Sequence, residues 1–282
     1  MKNINYYSDN SMDFHKAVLL RKKNTSNDPS YKSRIEILES QISNRFTLYD
    51  SYFIQNSLEL MDISPFSINE KDDLKKLYSY KSKIIKELKI ALTTTDTNRI
   101  INTCPNCTIS EINSFDHYLP QEKFPEFVVN PKNLFPSCTT CNSHKNASWI
   151  ENERRIFLNL YLDQLPNLQY LFIEYEIDKN VIVPHFYLNN SNNIDENLYC
   201  IIESHYYRLR LCDRFKENSN ETISYMEDII KTSLRGGLSQ DKIIDIISGA
   251  NELQKISFGY NYWKSILQMS LITNDDFLNR YF

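Results

Sequence analysis

The chain has 282 residues, 41% hydrophobic and 24% charged, which excludes wholesale disorder and collagen-like repeats. No run approaches the roughly 18 apolar residues of a membrane span, and the polar start MKNINYYSDN has no apolar stretch of the kind a secretory signal needs. A formal net charge of −4 argues against coating nucleic acid through bulk charge, and only four glycines, Gly236, Gly237, Gly249 and Gly259, are present, so neither GxGxxG nor GxxxxGK[ST] can be written. The glycine-flanked serine elbow of esterases is excluded by the same count.

The first 34 residues hold seven basic side chains (Lys2, Lys16, Arg21, Lys22, Lys23, Lys32, Arg34) against three aspartates (Asp9, Asp13, Asp28), a local excess of four positive charges. That reads either as a solvated arm or as a phosphate contact. A short helix is expected around Ala17–Leu20. From Ile35, apolar residues at Leu38, Ile42, Phe46, Tyr49 and Phe53 recur at gaps of three and four, one face of a helix that Pro65 closes. Ser67 and Glu70 have capping-box spacing, and Leu74, Leu77, Ile84, Leu88 and Leu92 extend a second helical stripe to the Thr93–Thr95 run. Residues 1–98 therefore read as a helical arm and hairpin.

Residues 99–150 break this pattern and read as a compact metal-bound module with a helix starting near Cys141. Beyond it, Glu151–Leu162 reads as helical with Ile156, Phe157, Leu160 and Tyr161 inward. Leu168–Ile177 and Val181–Leu188, split by Asp178-Lys179-Asn180, read as a β-hairpin. Helical patterns then cover Leu198–Phe215, Ile223–Leu234, Lys242–Ile256 and Trp263–Leu271, so 151–282 is expected to be a mostly helical domain with one hairpin. The fold class is mainly α (α+β), with helical flanks around the embedded module.

Four of the six cysteines form two knuckles, Cys104-Pro-Asn-Cys107 and Cys138-Thr-Thr-Cys141. In a chain without a secretory signal, paired CxxC knuckles point to metal rather than disulfides and to the reducing cytoplasm. Four thiolates suit a closed, tetrahedral, structural Zn2+ site. Binding of that ion contributes folding energy to a module with too little core of its own. Cys200 and Cys212, twelve apart on one expected helix and so about 120° apart around it, read as buried thiols. His15, His185 and His205 have no sequence partners and read as ordinary structural histidines.

Between the knuckles lie Phe115-Asp116-His117-Tyr118-Leu119-Pro120 and Asn133-Leu134-Phe135-Pro136, and Cys141 runs directly into Asn142-Ser143-His144-Lys145. The string D-H-x-x-P, N-L, C-x-x-C-N-x-x-K resembles the HNH endonuclease family in its zinc-knuckle, ββα-metal form, over Cys104 to Lys145. The resemblance implies that His117 is the general base and that Asp116 and Asn142 hold a catalytic Mg2+ or Mn2+. It implies that Asn133 braces the loop and orients the base. The family often has histidine where this chain has Asn142, and an amide oxygen there suits a hard cation. His144 is the alternative ligand. It further implies products with a 5′-phosphate and a 3′-hydroxyl.

The chemistry needs these groups. Hydrolysing an anionic phosphodiester takes a base to make the nucleophile and a cation to offset developing charge. Neighbouring strand residues face opposite ways, so Asp116 and His117 are expected to need a twist or bulge to share one site. Lys145 reads as either a solvated helix residue or a phosphate contact, and Arg154 and Arg155 as solvated or paired with Glu151 and Glu153. Residues 99–155 hold six basic and six acidic side chains, so DNA affinity is expected from the basic arm, the flanks or a partner.

Downstream, Phe157-Leu158-Asn159, Val183-Pro184-His185-Phe186 and His205–Phe215 look like the tail of HNH proteins of bacterial anti-phage modules, as in Septu and some retron systems. That likeness implies a DNA-cleaving defence effector gated by a partner ATPase. Two alternatives stay open: a non-catalytic zinc scaffold that holds a partner complex, and cleavage of RNA. Assembly into an oligomer is also left open.

Overall fold

The computed structural model describes residues 1–95, 97–178 and 181–282. Helix α1 (Ser11–Arg21) begins where Asn10 Oδ1 accepts the backbone N–H groups of Met12 and Asp13 at 2.8 and 3.1 Å. The apolar stripe from Ile35 to Phe53 is buried as expected, but on two helices, α2 (Tyr31–Ile37) and α3 (Glu39–Ile54), because the chain steps out of α-helix at Leu38 (ψ −5°). α3 ends at Ile54, where Asn56 takes φ 52°, well before Pro65. Helix α4 (Ile68–Lys75) opens on the expected capping box, Glu70 accepting the Ser67 N–H at 2.7 Å. The second stripe also divides, since α4 stops at Lys75 and α5 (Lys83–Thr93) starts afresh after Ser82. Leu77 and Ile84 stay buried, but the Tyr-Ser-Tyr-Lys-Ser stretch between them turns instead of coiling. Periodicity alone could not see that break, because buried residues seven apart keep the same phase across it.

Strands β1 (Ser114–His117) and β2 (Leu134–Ser137) pair antiparallel, with Asp116 opposite Phe135 and His117 opposite Leu134, and lead into α6 (Thr139–Lys145). This is the ββα order. The helix expected over 151–162 is absent. Instead β3 (Ile150–Glu151) and β4 (Arg154–Arg155) form a small hairpin whose turn residues Asn152 and Glu153 take φ 48° and 61°. Positive φ at both central residues is what a twisted two-residue hairpin requires, and asparagine tolerates it. Ile156, Phe157, Leu160 and Tyr161 are buried nonetheless, on irregular chain held by the Asp163 carboxylate, which accepts Asn159 N–H and Arg155 Nη1, both at 2.7 Å.

The expected hairpin is present as β5 (Leu171–Asp178) and β6 (Val181–Leu188); of its turn, Lys179 and Asn180 lie outside the described residues. The helix expected over Leu198–Phe215 is broken at Arg210 (φ 51°) into α7 (Glu196–Arg208) and α8 (Leu211–Glu217). Then follow α9 (Ser219–Arg235), α10 (Gln240–Phe258), α11 (Trp263–Leu271) and a short α12 (Asp275–Leu278). The molecule is thus mainly helical with small two-stranded sheets.

Two compact units emerge. One comprises Ile4–Cys104 and Ser110–Asp163 and carries α1–α6 and β1–β4. Its core is the aromatic face of α3 against the ββα segment: Phe46 and Tyr49 meet Phe127 at ring distances of 5.7 and 4.8 Å, and Phe53 meets Tyr161 at 6.4 Å. Such ring pairs contribute about 0.5–1.5 kcal/mol each beyond the area they bury. Arg45 on α3 donates to the fully buried Glu126 at 2.8 Å, so the loop before β2 is tied to the helix by charge as well.

The other unit comprises Met1–Asn3, Pro105–Ile109 and Gln164–Phe282. Phe215 stacks on Trp263 (5.5 Å, 10°) and both meet Phe186 of β6. Buried Asn261 accepts the N–H groups of Tyr170 and Leu171 at 2.8 and 3.1 Å, which fixes the start of β5. Gly259 (φ +98°) lies against the first residue of the chain, where a Cβ would come within 2.0 Å of the Met1 carbonyl oxygen.

Candidate active site and cysteine cluster

Cys104, Cys107, Cys138 and Cys141 are each at most 1% exposed, and their sulfur atoms all lie within 4.8 Å of one another. Tetrahedral zinc with Zn–S bonds of about 2.3 Å needs sulfurs roughly 3.8 Å apart, so modest closure suffices. The Cys141 N–H donates to Cys138 Sγ at 3.4 Å and the Ile109 N–H to Cys107 Sγ at 3.5 Å. Donors aimed at sulfur favour the thiolate form that a metal requires. The donor set therefore fits a closed four-cysteine zinc site.

Beside α6, a cavity of about 500 Å³ is lined by Asp116, His117, Asn142, Tyr78 and Tyr80 among others. His117 ends β1, and its Nε2 lies 3.0 Å from the Val128 carbonyl oxygen. A carbonyl can only accept, so Nε2 carries the hydrogen and Nδ1 is left with the lone pair. Burial pulls the His117 pKa down to about 4, opposed by the Val128 hydrogen bond and reinforced by Lys145. The ring is therefore neutral near pH 7, the form a base needs.

Asp116 is also buried, yet no bulge interrupts the β1–β2 register. The Asp116 carboxylate accepts the N–H of the next residue, His117, and both side chains line the cavity. Burial raises the Asp116 pKa; Lys145 and that hydrogen bond oppose the shift. Lys145 Nζ lies 3.1 Å from Asp116 Oδ1 and donates to the His117 carbonyl at 2.8 Å. Lys145 is 5% exposed, so neither reading of it as solvated or as a phosphate contact holds. The signal was available: four residues after Cys141, it shares the buried face of α6.

Asn142 Nδ2 donates to the Phe115 carbonyl at 3.3 Å, which presents the amide oxygen as the acceptor. Asp116 and Asn142 both line the cavity and both offer oxygen atoms, the donor type a hard cation takes, although the Asp116 carboxylate is already engaged by Lys145 and by the His117 N–H. Asn133 is fully buried: Oδ1 accepts the Leu119 N–H at 2.8 Å, and Nδ2 donates to the Leu119 and Phe127 carbonyls at 3.1 and 3.3 Å. It thereby clamps the loop whose next carbonyl, that of Val128, holds the His117 ring. His144 is exposed and is not among the cavity-lining residues.

Tyr78 had no sequence signal, being far from His117 along the chain. Its ring meets His117 edge-on at 4.8 Å, and its oxygen accepts the Phe115 N–H. Arg155 pairs with Asp163 rather than with Glu151 or Glu153, because the β3–β4 hairpin replaces the expected helix. His15 and His205 are buried, and His185 pairs with Glu176 at the surface. Cys200 is exposed and Cys212 partly so, on separate helices, which corrects their reading as buried thiols of one helix.

Comparison with known proteins gives two relatives. The chain is 25% identical over 197 residues to protein Ea31 of Escherichia phage lambda, covering 62% of each chain. It is 33% identical over 63 residues to Septu protein PtuB of Bacillus thuringiensis, covering 21% of this chain and 24% of that protein. The chain thus spans about three fifths of the first relative's length and about a quarter of the second's. No family model matches, and no solved structure matches.

Proposed function

We propose that this protein is a metal-dependent HNH endonuclease that hydrolyses DNA phosphodiester bonds as an effector of a bacterial anti-phage module. The observation that carries the reading is the His117 ring: Nε2 is committed to the Val128 carbonyl, so Nδ1 is the basic atom, in a cavity shared with Asp116 and Asn142. The similarity to a Septu protein supports the defence setting. Cys104, Cys107, Cys138 and Cys141 would hold structural Zn2+. Asp116 and Asn142 would hold Mg2+ or Mn2+, which would supply electrostatic stabilisation of charge developing on the phosphate oxygens.

In this reading His117 Nδ1 takes a proton from water as the water oxygen bonds to phosphorus. The phosphorus–oxygen bond to the 3′ carbon breaks, and the leaving oxygen takes a proton from solvent. The strands end in a 5′-phosphate and a 3′-hydroxyl. Asn133 keeps the Val128 carbonyl in place, so the base retains one tautomer. Control falls to a partner ATPase in this reading, since the chain has no glycine-rich phosphate loop of its own.

The test is cleavage of plasmid, single-stranded DNA and RNA by wild type and His117→Ala, with Mg2+, Mn2+ or EDTA. Metal-dependent DNA cleavage that drops about 10²–10⁴-fold in the variant is expected. Equal cleavage by both proteins overturns the role of His117. Cleavage of RNA alone replaces the substrate.

A further inference from the structure

The cavity has a charge problem for a nuclease. Its lining, among the described residues, contains Asp116 and Glu122 but no lysine or arginine, while the ββα segment is neutral overall. A polyanion needs cations close by. The basic arm supplies few, because its charges are used within the fold: Lys16 pairs with Glu39 at 2.7 Å, Arg21 with Glu87 at 3.3 Å, and Arg34 with Asp28 and Asp73 at 2.7 and 2.6 Å.

The chain that walls the cavity continues differently. After Tyr78 and Tyr80 come Lys81, Lys83 and Lys86, all exposed. Among the described residues Lys81 and Lys86 make no hydrogen bond or ion pair through their side chains. Lys83 reaches only Glu87, at 3.7 Å, and that carboxylate already serves Arg21. Lys83 and Lys86 share one helix face, their Cβ atoms about 5–6 Å apart. The segment is anchored rather than loose: the Tyr80 hydroxyl and Lys89 Nζ both donate to the Ile112 carbonyl, at 3.4 and 2.7 Å, and Tyr80 packs edge-on against Phe115 of β1.

We infer that the α4–α5 connection and the first turn of α5 form the substrate ledge of this site, where Lys81, Lys83 and Lys86 take the phosphates of a nucleic-acid strand entering past Tyr78 and Tyr80. The inference rests on the nuclease reading for its substrate class, but binding tests it without turnover.

The experiment measures affinity of full-length His117→Ala for a fluorescein-labelled DNA duplex, the matching single strand and the matching RNA, in Mg2+ from 50 to 200 mM salt. Lys81→Ala/Lys83→Ala/Lys86→Ala in the same background is compared with Lys23→Ala/Lys216→Ala/Lys242→Ala, which removes equal charge from other exposed positions. The ledge variant is expected to bind at least ~10-fold more weakly, with the slope of log K against log salt reduced by about 2–3 on duplex. The control should change neither by much. Equal losses in both variants, no loss in the ledge variant, or no binding by the parent to any of the three probes overturns the ledge. Lysine-dependent binding by a wild-type protein that cleaves nothing would overturn the nuclease reading and leave the ledge standing. Cleavage without lysine-dependent binding would do the reverse.

Discussion

The Lys145 ammonium lies 3.1 Å from the Asp116 carboxylate inside the unit, with both side chains less than a tenth exposed. Each charge is out of water, and each is the other's compensation. Deleting one leaves the other stranded, which for buried pairs costs about 3–5 kcal/mol. Lys145→Met therefore lowers stability by that order, read as a shift in the urea midpoint. A loss below about 0.5 kcal/mol would mean that the pair is solvated in solution.

Cys138 is both the N-cap of α6 and one of the four clustered sulfurs. Cys138→Ser is expected to lower zinc content from about one ion per chain, measured by mass spectrometry of the purified protein, and to lower the melting temperature with it. Full zinc occupancy in the variant would remove Cys138 from the ligand set.

Acid should destabilise the fold earlier than carboxylates alone would. Burial holds His15, packed edge-on against Phe46, at a pKa of about 4, with Glu39 opposing the shift. His117 is held at about 4 by the same cause. The ordinary value is 6.5, so the unfolded chain takes up these protons first. The stability due to the neutral rings is complete above about pH 6.5 and is lost as pH falls toward 4. Denaturation midpoints should decline through that window, and His15→Phe should flatten the decline while keeping an aromatic ring against Phe46. An unchanged slope in the variant would show that His15 is solvated.

Asn133 makes three hydrogen bonds to buried backbone groups, so Asn133→Ala strands the Leu119 N–H and the Leu119 carbonyl, while the Phe127 carbonyl keeps the Asn130 N–H. The cost expected is about 2–4 kcal/mol in denaturant unfolding, with zinc content unchanged. Wild-type stability in this variant would show that water replaces the side chain.

Composition and spacing were enough for much of this protein. Helical phase identified the buried faces of α3 and α5, because burial imposes a 3.6-residue period whatever the partner is. The capping box at Ser67 and the β5–β6 hairpin were legible because they depend on residues close together in sequence. The two CxxC knuckles announced a sulfur cluster for the same reason, each pair being confined to one turn. Tertiary structure decided what short-range pattern cannot encode. The breaks at Leu38, Lys76–Ser82 and Arg210 leave the phase of buried residues almost intact while changing where the chain goes. The 151–162 segment buries the expected residues without the expected helix, since two positive-φ residues turn it into a hairpin. Most consequential is the cavity wall: Tyr78 meets His117, Val128 orients its ring, and Lys145 neutralises Asp116, each contact formed across the fold. The free energy of those contacts comes from burial and desolvation, quantities that exist only once the chain has packed.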